Sequence, residues 1–309
     1  MEPFLSIITD IRASKSKYSV ASIIRRLNNC ERVRDDFSEI FRVSWILVVE
    51  CLSLFCIYSQ QLNAQTCIVI RRTPNAIFIG ADSKTVTFTD LRGGIYSVGS
   101  KCKIKQEGKT FFAISGNVKF DVDVIAEESS KKGTLLREKS DIFGALVRDG
   151  LVKMLEDILT TSPNFYQEWF SGKPAIQVAF CGIESGVPGY SVRDYVVTNR
   201  INQPVRISVN RTEIPGARPA SDNATSIMGA GIAIKNLHLT EAFWQDKTPV
   251  NGIKMLINIE RRDNGFLVGG PIDILRLTEE GAEWIQKKSE CPDIQPPLKN
   301  LTTKPKIPN

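Results

Sequence analysis

The stretch Thr66-Cys67-Ile68-Val69-Ile70-Arg71-Arg72-Thr73-Pro74-Asn75-Ala76-Ile77-Phe78-Ile79-Gly80-Ala81-Asp82-Ser83 decides how the rest of the chain is read. Two β-branched runs, Cys67–Ile70 and Ala76–Ala81, flank Thr73-Pro74-Asn75, where proline fixes φ and asparagine tolerates turn geometry. They read as a hairpin that ends on a carboxylate, Asp82. A second hairpin follows. Lys103–Gln106 and Thr110–Ser115 flank Glu107-Gly108-Lys109, and the run closes at Gly116. Asp121–Ser130 reads as a helix. Ser140–Thr160 reads as a longer one, because Phe143, Leu146, Val147, Leu151, Met154, Leu155 and Ile158 recur at three- and four-residue intervals. Ala175–Ile183, Tyr190–Thr198 and Val205–Val209 read as strands. Helical stretches are expected at Ile232–Trp244 and Asn251–Arg262, and a last strand at Ile272–Leu277. Strands and helices in separate runs favour α+β packing over a βαβ repeat.

Composition narrows the chemistry. The 309 residues are 42% hydrophobic and 24% charged, as in an ordinary globular protein. Forty Lys and Arg against 34 Asp and Glu leave +6, spread thinly along the chain, so nucleic acid is not the expected partner. There is one histidine, His238, which excludes a His-rich metal site and leaves a single imidazole for any histidine-based mechanism. Of seven cysteines, Cys30, Cys51 and Cys56 precede residue 66; Cys67, Cys102, Cys181 and Cys291 are widely spaced, form no CxxC motif, and read as isolated buried thiols.

Three segments are expected. Residues 1–65 form a leader, with an apolar run Val43–Ser59 after a charged stretch and Gln60-Gln61-Leu62-Asn63-Ala64 beyond it, the pattern of an export signal. Retained, the same run would be a membrane anchor, and without export the protein would be cytoplasmic. Residues 66–287 form one domain. Residues 288–309, with five prolines, read as a disordered tail.

Thr66 with Ile77-Phe78-Ile79-Gly80-Ala81-Asp82-Ser83 resembles the opening of proteasome β-type subunits, members of the N-terminal nucleophile hydrolases. In that family a threonine starts the first strand and a Gly-Ala-Asp motif ends the second, at the separation seen between Thr66 and Asp82. The similarity continues at Lys103-Ile104, Ser115-Gly116, Met228-Gly229-Ala230-Gly231, Arg262-Asp263 and Gly269-Gly270-Pro271-Ile272-Asp273. The resemblance implies a four-layer αββα sandwich, no metal or cofactor, a peptide or protein substrate and assembly into a homo-oligomeric ring. It implies that Thr66 is the nucleophile, supported by Asp82, Lys103, Gly116 through its backbone N–H, and Asp263. Residues near Thr85, Lys101 and Ile114–Val118 would line a specificity pocket.

A terminal threonine suits a chain so poor in histidine, because its own α-amine, with a reference pKa of about 7.7–8.0, can serve as general base. Residue 65 is glutamine where self-processing members carry glycine, and Gly229-Ala230-Gly231 stands where they carry Gly-Ser-Gly. Three alternatives stay open on the residues alone. Lys101 competes with Lys103, Cys67 competes with Thr66 as nucleophile, and a chain that keeps Gln65 would be a non-catalytic subunit or binding protein.

Overall fold

The computed structural model describes residues 66–88, 95–116, 118, 120–214, 223–235, 237 and 241–294. The leader, His238 and residues 295–309 lie outside the described residues. Two five-stranded antiparallel sheets carry the fold. The first has the order β10 (Ala224–Gly229), β1 (Cys67–Thr73), β2 (Ala76–Asp82), β11 (Ile272–Thr278), β12 (Gly281–Gln286). The second is β5 (Ile104–Glu107), β6 (Thr110–Gly116), β7 (Pro174–Glu184), β8 (Val187–Val197), β9 (Ile207–Ile214), and a separate ribbon pairs β3 (Lys84–Phe88) with β4 (Ile95–Ser100). Five helices complete the described chain: α1 (Val122–Lys132), α2 (Leu136–Thr161), α3 (Pro163–Trp169), α4 (Glu241–Trp244) and α5 (Pro249–Asp263). The protein is α+β.

Strand periodicity explains how the layers meet. Successive side chains on β1 point to opposite faces, so Ile68 and Ile70 join Ile79, Ala81, Met228 and Leu275 in one buried cluster with Phe111, Ala113, Ala179, Cys181 and Val192 of the second sheet. Cys67 and Val69 fall on the other face, in a cluster that includes Ile253, Leu256 and Ile257 of α5. Those three are 0% exposed at helical spacing, and burying such a side chain is worth about 1.5–3 kcal/mol. Helix α5 is started by the Thr248 hydroxyl, which accepts from the Asn251 amide at 3.2 Å, and Arg261 and Arg262 complement its C-terminal dipole. The same cluster takes in Phe112, Val178 and Phe180 of the second sheet with Phe143, Val147, Leu151 and Leu155 of α2.

Several expectations need correction. The helix read over Ile232–Trp244 reduces to α4, with residues 232–235 in turns and Ile232 87% exposed. The ribbon β3–β4 and the strands β10 and β12 were not expected. Two of the four cysteines of 66–309 are not isolated thiols: Cys102 and Cys291 are bridged, with Cα atoms 5.1 Å apart, whereas Cys67 and Cys181 are free and buried. Residues 288–294, read as the start of the tail, are tied to the domain by that bridge. The Lys288 amide also donates to Asp273 Oδ1 at 2.9 Å, and the Trp284 indole donates to the Pro292 carbonyl at 3.2 Å. No helix among the described residues is long and apolar enough to cross a membrane.

Candidate active site

Thr66 sits one residue before β1, 1% exposed, and its carbonyl accepts from the Ala230 amide at 2.8 Å. That bond runs through the turn after β10. Gly229 there has φ +79°, and a Cβ on it would come within 1.7 Å of the Thr66 carbonyl oxygen and 2.4 Å of Ser115 Oγ, so no side chain fits. The Gly229 amide donates to Gln177 Oε1 at 2.5 Å, and Gln177 Nε2 donates to Asp194 Oδ1 at 2.8 Å. A polar relay across β7 and β8 thus fixes the turn that holds Thr66.

The Thr66 hydroxyl donates to Asp82 Oδ1. Asp82 is 0% exposed and accepts three backbone amides besides: Cys67 at 2.8 Å on Oδ1, Gly269 at 2.9 Å and Lys84 at 3.2 Å on Oδ2. Burial pushes its carboxyl above the usual range, against the Thr66 hydroxyl, the Gly269 and Cys67 amides and the Lys103 charge, which all favour the anion. The Ser83 and Lys84 amides donate in turn to the Gly269 carbonyl at 3.2 and 3.1 Å, so the Gly269-Gly270 loop is clamped to the end of β2.

Lys103, just before β5, is half-buried. Burial lowers its ammonium to about 8; Asp82 pulls it back up, while Lys101 and Lys288 push it further down. Lys101 is exposed and ion-pairs with Asp123 of α1, which also takes Lys105 at 2.8 Å. Burial raises the Asp123 carboxyl, but the hydrogen bonds from both lysines outweigh it and hold the group below its ordinary value. Of the two candidate lysines, Lys103 is the one whose ammonium the Asp82 charge favours, while Lys101 is held by Asp123.

Thr66, Lys103, Ser115 and Gly116 line one cavity of about 80 Å³, and the pocket residues expected from the sequence, Thr85, Lys101, Ile114 and Val118, line it too. Gly116 ends β6 opposite Ile176, and a Cβ there would meet the Ala175 carbonyl at 2.5 Å, a packing reason for glycine whatever its N–H does. Asp263 stands apart. Helix α5 continues through it, and its carboxylate is half-exposed and 3.7 Å from Arg262, with no hydrogen bond to Thr66, Asp82 or Lys103. Cys67 is enclosed in the helix-facing core, and burial, with the Asp82 and Glu260 charges, pushes its thiol well above its ordinary value. A thiol so held is a poor nucleophile.

Sequence reasoning placed Ser115 only in a turn motif and a pocket wall, whereas its hydroxyl is buried without a hydrogen-bond partner beside Gly229 and Thr66, and it missed the Gln177–Asp194 relay. Gln177 had a signal: it is the lone polar residue inside the apolar run Ala175–Ile183. Among the described residues, the one group with metal-ligand chemistry is Cys102, Asp273 and Cys291, whose ligand atoms lie within 4.8 Å of one another. The disulfide engages both sulfurs, leaving no thiolate to bind. Neither a scan against protein families nor a search of curated proteins finds a match to this chain.

Proposed function

We propose that the chain is a threonine-dependent amide or peptide hydrolase of the N-terminal nucleophile type. The two sheets with their flanking helices would be its four-layer αββα sandwich. One observation carries the reading: the Thr66 hydroxyl is hydrogen-bonded to the buried Asp82 carboxylate, and Thr66 shares a cavity with Lys103, whose ammonium the Asp82 charge favours.

Removal of residues 1–65 would leave Thr66 with a free α-amine. The amine takes the hydroxyl proton as Oγ1 attacks the substrate carbonyl carbon. Asp82 orients the hydroxyl. Lys103, when charged, disfavours protonation of the neighbouring amine and stabilises the developing alkoxide. The Gly116 N–H would donate to the oxyanion, a contribution worth about 10²–10³ in rate where single donors have been removed. The proton then passes from the Thr66 ammonium to the departing amine, the C–N bond breaks, and an ester remains on Oγ1. Water activated by the same amine cleaves that ester. No metal or cofactor enters these steps, and Asp263 has no part in them. The Cys102–Cys291 bridge supports export, since disulfides persist in oxidising compartments. A homo-oligomeric ring rests on the resemblance alone.

A second reading, a non-catalytic subunit or binding protein that keeps Gln65, is favoured by the near-complete burial of Thr66. Intact mass and N-terminal sequencing of the protein from its native compartment separate the two. The hydrolase reading expects a chain starting at Thr66, active on a fluorogenic peptide panel and inactive as Thr66→Ala. A chain starting at Gln65 or earlier overturns it.

A further inference from the structure

Away from Thr66, a second and larger cavity of about 360 Å³ lies between α2 and the strands β8 and β9. It shares no lining residue with the first. Its hollow comes from the helix. Asp141, the adjacent Gly144 and Ala145, Arg148 and Leu151 are spaced at three or four residues around that pair and so share one face of α2. Gly144 and Ala145 in the middle of that face leave space. The Tyr195 phenol fills part of it, 2.6 Å from where a Gly144 Cβ would sit.

Charge in this cavity is unbalanced. Three guanidiniums line it, from Arg148, Arg193 and Arg211, against one carboxylate, Asp141. Arg193 is 1% exposed and already neutralised, with Nη2 at 2.6 Å from Glu213 and 3.2 Å from Asp141. Asp141 is also approached by Arg211 at 3.9 Å and by Arg137 at 3.8 Å, and Glu213 by Arg137 at 3.9 Å, so two carboxylates serve three arginines and Arg211 has only Asp141. Arg148, exposed on the helix, has neither an ion pair nor a hydrogen bond among the described residues. Two guanidiniums therefore face the hollow with little compensation. The rest of the lining includes an apolar part: Leu151 of α2, and Ile207 and Val209 of the edge strand β9, Val209 42% exposed.

We infer that this cavity binds a small organic anion, a carboxylate or phosphate carried on an apolar body, with the anionic group on Arg148 and Arg211 and the body against Leu151, Ile207 and Val209. Guanidinium pairs well with both oxyanions because its planar donors match their geometry. The volume is at the small end of ligand sites, about 300–1,000 Å³. Tyr195 can add a donor, since burial keeps its phenol protonated. The inference is independent of the hydrolase reading.

Isothermal titration calorimetry on the full chain tests it, with 4-phenylbutyrate and phenyl phosphate as probes and 4-phenylbutanamide as the neutral control. Saturable binding of at least one anion is expected, weakened by salt and roughly tenfold or more weaker for the amide, as fits loss of a charge-assisted contact. Whichever anion binds more tightly identifies the headgroup. Arg148→Ala combined with Arg211→Ala should weaken the anion by a similar factor and leave the melting temperature unchanged, because both side chains are exposed. Ala145→Trp, also at an exposed helical position, should block binding while keeping every charge. Absence of saturable binding by both anions, or binding unaltered in either variant, overturns the inference.

Discussion

Asp82→Asn makes the most demanding test of the site, because Asp82 accepts four donors with no solvent to substitute for any of them. Oδ1 takes the Thr66 hydroxyl and the Cys67 amide; Oδ2 takes the amides of Lys84 and Gly269. An asparagine oxygen can replace one of these atoms. Its NH2 group must then face either two backbone amides or one amide and the Thr66 hydroxyl, which is donor against donor. If two amides lose their acceptor, at about 1–3 kcal/mol each, the loss is about 2–6 kcal/mol. Burial of the charge already disfavours the wild-type anion, as its raised carboxyl pKa records, and the neutral amide is spared that part. The expectation is therefore about 3 kcal/mol, read as a lowered midpoint at constant slope in urea unfolding. Asp273→Asn is the control. It is equally buried, but only its Oδ1 is hydrogen-bonded, to the Lys288 amide, while Oδ2 has the Lys288 ammonium at 3.9 Å, so an NH2 there weakens one ion pair but orphans no backbone donor. Equal losses for the two variants, or an Asp82→Asn loss below about 1 kcal/mol, would refute the argument from donor counting.

Lys103 titrates near 8 in the fold against 10.5 in the open chain, so between those values the unfolded chain holds more protons and stability should rise with pH. Urea unfolding across that window should show the rise, and Lys103→Met should flatten it. Gly229→Ala forces a Cβ onto the Thr66 carbonyl oxygen at positive φ, and strain and overpacking of about 1–3 kcal/mol each should cost about 2–6 kcal/mol; a variant within about 1 kcal/mol of wild type in chemical unfolding contradicts this. Cys102→Ser with Cys291→Ser opens a loop of 189 residues' separation, for which the chain-entropy relation gives about 5 kcal/mol. Wild type unfolded in reductant should lose the same amount as that variant.

The parts legible in the sequence were those with local signals. The β1–β2 hairpin and helix α2 declared themselves through alternation and through the Phe143, Val147, Leu151 and Ile158 stripe. The grouping of Thr66, Asp82, Lys103 and Gly116 came from the resemblance; the fold joins Thr66 to Asp82 by a hydrogen bond and puts Thr66, Lys103 and Gly116 on one cavity. What depended on tertiary partners stayed hidden. The β3–β4 ribbon is a pair of strands of five and six residues that joins neither large sheet. β10 and β12 are six residues each, and Ala224–Gly229 acquires strand geometry only by pairing with β1. Asp263 came from the resemblance, whereas helix α5 runs on to that residue and leaves it exposed. Lys101 and Lys103, two residues apart, part in the fold: Asp123 captures the exposed first, and the second is drawn partly inside. A bridge between cysteines so far apart leaves no mark in their spacing.

That bridge also orders events in time. When Cys102 leaves the ribosome its partner has yet to be made, and Cys67 and Cys181 are both nearer to it along the chain. In the finished domain these two are shut inside separate cores, Cys67 beneath α5 and Cys181 between the sheets. Pairing by nearness would join the wrong thiols. Burial of Cys67 and Cys181 as the first hairpin and β7 pack would withdraw both competitors, so the bond is expected to act as a seal on a domain already assembled, with a non-reducing gel as its readout.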